Sequence, residues 1–274
     1  MPPQVSLLHA SYHRKGGPLE VKQAWMEMAD QPGLVEYIVA LDDDDDAAIA
    51  QTANQLRVVS DAIEGHVTAV RNWNAAARLA SGELLVVIAD DLFPPQGWDT
   101  MLQTVTSGLD PVKTAFAVKV ADAPGIKDTK LRHPVVSRQF YRKFGLFSDA
   151  FDGVYCDDDI TMTAFWNAFI LDGRSIVTEH RHPILDELVS PSRSHQRMND
   201  ATQYALGKAT YAERWSVRHR SARVQLLRTR PESRSTDRRL RMSAIGHRAQ
   251  ASARYFVGKP IRPLKRAFKA RVGG

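Results

Sequence analysis

A chain of 274 residues, 43% hydrophobic and 25% charged, holds enough apolar material for one sizeable core plus an appendage, which excludes disorder throughout. Its net charge of +6 is unevenly spread: from Arg214 onward there are 18 Lys and Arg against 2 acidic residues, and residues 1–213 carry 19 against 29, an acidic body ahead of a basic tail. No window approaches the roughly 18–20 apolar residues of a membrane span, the start lacks the pattern of a signal peptide, and the single cysteine, Cys156, supports neither an internal disulfide nor a Cys-rich zinc site, so a cytoplasmic chain is expected.

In chain order, Val5–Ala10 is a short apolar run closed by Gly16-Gly17-Pro18, the pattern of a buried strand and its loop. Leu19 to Asp30 has helical character and stops at Pro32-Gly33. Val35 to Leu41 is a second strand running into Asp42 to Asp46, and Arg57-Val58-Val59 is a short third. Val67 to Ala80 has Val70, Trp73, Ala77 and Ala80 at helical spacing, with Ser81-Gly82 as a glycine stop. Glu83 to Ala89, the most hydrophobic strand, ends at Asp90-Asp91. Pro94-Pro95 and Trp98 then turn the chain, and Thr114 to Val120 is another strand. His133 to Phe147 and Ile160 to Leu171 are expected helices, the second led by Asp157-Asp158-Asp159. Ser175 to Val177 is a last strand before Glu179-His180-Arg181-His182-Pro183, and Asn199 to Ala212 is a further helix.

Strands that are continuous apolar runs alternating with helices predict an α/β fold with a mainly parallel sheet covered on both faces. In such sheets ligands collect at the carboxyl ends of strands, so the clusters after the second strand and at Asp90-Asp91 are expected on one rim. Adjacent carboxylates repel unless a cation compensates, and hard oxygen ligands suit Mg²⁺ or Mn²⁺ completed by substrate phosphates. The plainer reading is that Asp91 caps a turn and Asp90 is solvated. Asp42 to Asp46 likewise has two readings: helix capping ahead of Ala47, or hydrogen bonding of a nucleoside by Asp42 or Asp44. One of Asp157, Asp158 and Asp159 is expected as an N-cap, and another as a general base at an active-site mouth. His180 and His182 are candidate additional metal ligands. Phosphate-loop, GxGxxG, HExxH and GxSxG patterns are missing.

The order of these features resembles the GT-A-fold glycosyltransferases of the large family-two type over roughly residues 4 to 190. Val5 to Ser11 with Arg14 looks like the first strand and nucleotide-contacting loop, which implies donor contacts by His9, Ser11 and Arg14. Leu41-Asp42-Asp43 resembles the second-strand acid that meets the nucleoside, and Arg71-Asn72-Trp73-Asn74 with Ser81-Gly82-Glu83 resembles the lead into the metal motif, Asn72 included. Ala89-Asp90-Asp91 stands in the place of Asp-x-Asp. Because position 89 is alanine, the resemblance implies Asp91 with His180 or His182 as metal ligands and Asp90 toward the ribose or a metal-bound water. Asp157-Asp158 falls where the family has its catalytic acids, and Ala164 stands near the place of its following arginine. The implied activity is a Mn²⁺- or Mg²⁺-dependent, inverting transfer of a hexose from a nucleotide sugar, UDP-linked by preference, to a hydroxyl of a glycan or lipid-linked acceptor, with Asp158 as base.

The expected domains are a transferase body over residues 1–212 and a basic helical tail over 213–274. Within the tail, residues 238–271 read as an amphipathic basic segment suited to an anionic membrane surface, which would place the protein at the inner face of the cell membrane. A solvated basic tail is the plain alternative. Two rival functions stand beside this one: a sugar nucleotidyltransferase, echoed by Arg14-Lys15-Gly16-Gly17, and a nucleic-acid-binding protein acting through the tail. The second is disfavoured by the few aromatics there.

Overall fold

A computed structural model describes residues 4–63, 66–125, 128, 130–182 and 190–215. Six of the seven strands of the main sheet run the same way. Strand β1 (Val5–Ala10) lies at its centre between β2 (Val35–Asp42) and β4 (Leu84–Ile88), both parallel to it, and β3 (Leu56–Ser60) is the edge beyond β2. On the other side β7 (Val135–Ser137) pairs antiparallel with β4 and with β6 (Phe116–Ala121), and β6 carries β8 (Phe169–Val177) in parallel. The order is β3-β2-β1-β4-β7-β6-β8. Two short strands, β5 (Leu92–Phe93) and β9 (Glu179–His180), form a separate antiparallel pair.

Side chains alternate across the strands, so consecutive apolar residues feed two cores. Leu8, Ile38, Leu85 and Val87 pack with α3 (Ala69–Leu79), α5 (Arg138–Phe144) and α6 (Cys156–Asn167) on one face. Leu7, Val39, Leu41 and Val86 pack with α1 (Pro18–Glu27), α2 (Asp46–Gln51) and α4 (Trp98–Thr106) on the other. This two-faced burial is why the strands read as unbroken hydrophobic runs, and the expected α/β architecture is the one observed. The chain then crosses α7 (Arg193–Met198) and α8 (Ala201–Arg214). Helix α8 runs past residue 212, and Trp215 bonds to Asp159 on α6.

Several expectations change. The helix expected from His133 is split: Val135 to Ser137 is strand, and α5 begins at Arg138 with the Ser137 hydroxyl capping the Phe140 N–H. Pro134 disfavours helical backbone at His133, and Val135-Val136 are β-branched, so local chemistry favoured extension there. The helix expected over Ile160 to Leu171 ends at Asn167, and its last three positions belong to β8, an apolar run whose period does not distinguish helix from strand. Helix α4 occupies a stretch expected only as a turn. None of the three aspartates caps α6; the N-cap is Tyr155, in the left-handed region at φ 72°, and all three acids sit in the first turn. Gly82 is not a left-handed stop either, since α3 ends at an extended Ala80. A Cβ on Gly82 would stand 2.6 Å from Ser6 Oγ and 2.8 Å from the Ser6 nitrogen, so glycine is required there by close approach to β1.

Candidate active site

The parallel register aligns the ends of β1, β2 and β4, with His9 opposite both Val39 and Ile88, and so sets Asp42 and Asp90 on one carboxyl-end rim. The Asp90-Asp91 turn is held from both sides by indoles. Trp73 on α3 donates to the Ile88 carbonyl at 2.9 Å, and Trp25 on α1 donates to the Leu92 carbonyl at 2.9 Å. The two carboxylates then diverge. Asp90 faces back into the protein, accepting from His9 Nε2 at 3.0 Å and from the Tyr12 N–H at 3.1 Å. A carboxylate only accepts, so the proton lies on His9 Nε2, and in the neutral ring Nδ1 accepts from the Tyr37 hydroxyl at 2.6 Å. His9 is fully buried with both nitrogens engaged, which makes it a support for Asp90. Arg14 Nε donates to the Asp90 carbonyl at 2.9 Å and its guanidinium reaches Glu20, so its charge is already compensated by the first turn of α1.

Asp91 faces the other way, toward histidines. His195 Nε2 is 2.8 Å and His180 Nε2 3.2 Å from its Oδ2. Burial alone would raise this carboxyl, but the hydrogen bonds from His180 and His195 outweigh it and hold the group ionised far below the usual carboxylate range. His182 completes the group: one ligand atom each from Asp91, His182 and His195 lie within 4.8 Å of one another. Burial, reinforced by the neighbouring His195, keeps the His182 ring neutral to lower pH than usual, the form that binds cations. Of the histidines expected beside Asp91, His182 joins the triad and His180 orients the carboxylate. His195, which lies beyond the stretch that resembles the transferases, was missed; its only local signal is the Ser192–His195 capping box that starts α7.

The five aspartates after β2 divide by role. Asp42 is fully buried and accepts from Thr68 Oγ1 at 2.5 Å, Asn72 Nδ2 at 2.8 Å and Arg71 at 3.4 Å, with Arg197 of α7 at 3.8 Å. Asp43 holds the Ala62 N–H, Asp45 caps α2 through the Ala48 N–H, and Asp46 sits in its first turn, so the capping reading applies to Asp45 and Asp46. Asp44 meets Tyr12 and His13 at the surface. Near Asp42, Ser11 Oγ and Asn72 Oδ1 are buried with no hydrogen-bond partner among the described residues. Arg197 also stacks on the Tyr12 ring at 4.6 Å, so α7 touches both the Asp91 and the Asp42 sides of the rim.

On α6, Lys130 Nζ lies 2.8 Å from Asp158 and 3.5 Å from Asp157. Burial would lower this lysine, but the two carboxylates outweigh that and raise it. Asp159 points elsewhere, to Arg214 at 2.9 Å and the Trp215 indole at 2.8 Å, and docks α8.

No protein-family model matches the sequence, and no curated protein does. Solved structures do match. TarS 1–349 from S. aureus, in complex with UDP-GlcNAc, is 13% identical, superposes with a TM-score of 0.57, and is matched over 91% of this chain and 74% of its own. The mannosyltransferase PcManGT from Pyrobaculum calidifontis, in complex with GDP-Man and Mn²⁺, is 15% identical with a TM-score of 0.55, over 92% of this chain and 74% of its own. The body of this protein therefore has the GT-A fold, as the resemblance implied.

Proposed function

We propose that this protein is a glycosyltransferase that moves a hexose from a nucleoside-diphosphate donor, a UDP-sugar by preference, to a hydroxyl of a glycan or lipid-linked acceptor, with inversion. The observation that carries this is the pairing, on one GT-A rim, of an ionised Asp91 among imidazoles with a buried Asp42 flanked by unpartnered polar atoms. The two similar structures, held with UDP-GlcNAc and with GDP-Man and Mn²⁺, support the donor class.

In this reading Ser11, Asp42, Asp44 and Asn72 meet the nucleoside, and Asp90 with its His9 and Tyr37 support fixes the loop that follows β1. Asp91, His182 and His195 would hold a Mn²⁺ ion whose remaining positions the oxygens of the donor diphosphate and water would complete. Such an ion supplies charge stabilisation to the departing diphosphate, the largest electrostatic demand of the step. His180 keeps the Asp91 carboxylate ionised and aimed. Asp158 takes the proton of the acceptor hydroxyl as it attacks, with Asp157 behind it and Lys130 holding both acids at the mouth. The segment over residues 238–271, which would meet an anionic membrane, lies outside the described residues.

A thermal-shift screen of UDP-, GDP-, dTDP- and CMP-sugars with and without Mn²⁺ tests the reading. Stabilisation that needs both nucleotide and metal is expected; none with any donor overturns it.

A further inference from the structure

We propose a second divalent-cation site, formed by Asp122, His133 and His180 and suited to the imidazole-preferring class of Zn²⁺, behind the Asp91 group and independent of the donor reading. Asp122 follows β6, His133 precedes β7 and His180 lies in β9, so three separated segments converge. One ligand atom from each lies within 4.8 Å of the others.

Two details point to a ligand here. The Nδ1 atoms of His133 and His180 are shielded from solvent and have no hydrogen-bond partner among the described residues. Buried ring nitrogens are ordinarily satisfied, and leaving one without a partner is unfavourable. Two in contact, with ring centroids 5.2 Å apart and a carboxylate beside them, are the donor set of a metal centre. His180 cannot turn away, since its Nε2 is held by Asp91.

Asp122 already faces Lys119 at 3.3 Å and Arg132 at 3.3 Å, but neither cation depends on it. Arg132 grips Asp128 with both terminal nitrogens, at 2.5 and 3.1 Å. Lys119 has the Lys130 carbonyl at 2.7 Å and Asp128 at 3.5 Å. Asp128 therefore stays in contact with both cations when Asp122 turns to a metal ion. Two imidazoles and one carboxylate favour Zn²⁺ over Mg²⁺, which prefers an all-oxygen shell. The rings of His133, His180, His182 and His195 contact in series, so an ion here would brace β9 and set the angle at which His180 meets Asp91.

The test uses Co²⁺ as a spectroscopic stand-in for Zn²⁺. In His182→Ala/His195→Ala protein, which lacks both imidazoles of the first group and keeps Asp91 to hold His180, about one equivalent of Co²⁺ is expected to remain bound after dialysis, with visible absorption that a large excess of Mg²⁺ does not remove. Adding His133→Gln or, separately, Asp122→Asn should abolish it in protein whose circular dichroism is unchanged. Wild-type protein is expected to take up about one equivalent more than His133→Gln protein, and equal uptake by the two overturns the proposal. Absence of Co²⁺ from the His182→Ala/His195→Ala protein, or equal uptake by it with and without His133→Gln, also overturns it. None of these readouts involves a nucleotide, so their failure and that of the donor screen are separable.

Discussion

At the scale of single residues, the rim separates acids that look alike in the sequence. Asp90 and Asp91 are neighbours, yet one is committed to His9 and the Tyr12 amide and the other to imidazoles. Asp91→Ala should therefore abolish metal-dependent stabilisation by nucleotide, whereas His195→Ala, which removes one ligand of three, should raise the Mn²⁺ concentration needed for it by about 10- to 100-fold, read as a shifted titration midpoint in the thermal assay. Asp158 and Asp159 divide in the same way. Asp158→Asn should leave donor binding intact and lower kcat by about 10²- to 10⁴-fold, the usual contribution of a positioned base. Asp159→Asn should instead lower the melting temperature, because Arg214 and the Trp215 indole lose their shared acceptor. Equal loss of donor binding in the Asp91 and Asp158 variants would refute the assignment of roles.

At the scale of elements, the site is held by a few cross-connections. Trp73→Phe keeps an aromatic ring but removes the hydrogen bond to Ile88 and the volume of the second indole ring, which together should cost at least about 1 kcal/mol by denaturant unfolding and loosen the turn that aims Asp91. Gly82→Ala should destabilise by about 1–3 kcal/mol, since the methyl meets β1 backbone that cannot retreat. Next to it, Glu36 of β2 accepts from Ser6 Oγ, Ser81 and the Gly82 N–H. Burial raises this carboxyl, but the hydrogen bonds outweigh it, so its folded pKa lies below the ordinary 4.5. The stability Glu36 adds is thus complete above that value and lost as pH falls through the depressed one. Glu36→Gln should flatten this acid limb of the unfolding curve, measured between neutral and acidic buffers.

At the scale of the whole molecule, the acidic body and basic tail divide close to where α8 docks. The body contains no helix, among the described residues, long and apolar enough to cross a membrane. The late segment carrying α7 and α8 returns across the rim, placing Arg197 at Asp42 and His195 at Asp91 in one short helix. The site therefore depends on residues about a hundred positions apart, which explains why the two-strand reading of the acids gave only half of it.

The sequence by itself determined the α/β class, the central strands and the two acid-tipped ends, because two-sided burial writes continuous apolar runs and parallel strands put their ends on one edge. It also marked His180 and His182. What the tertiary structure alone decided was which acid each residue is. Phe169 to Leu171 left the helix because a sheet neighbour was waiting for them, and local propensity does not encode neighbours, whereas the strand at Val135-Val136 follows a local preference already present in the sequence. His195, His133 and Lys130 carry no motif; they count only because packing brings them within hydrogen-bond or ring-contact distance of Asp91, His180 and Asp158, and pairwise proximity across the chain is a property of the fold.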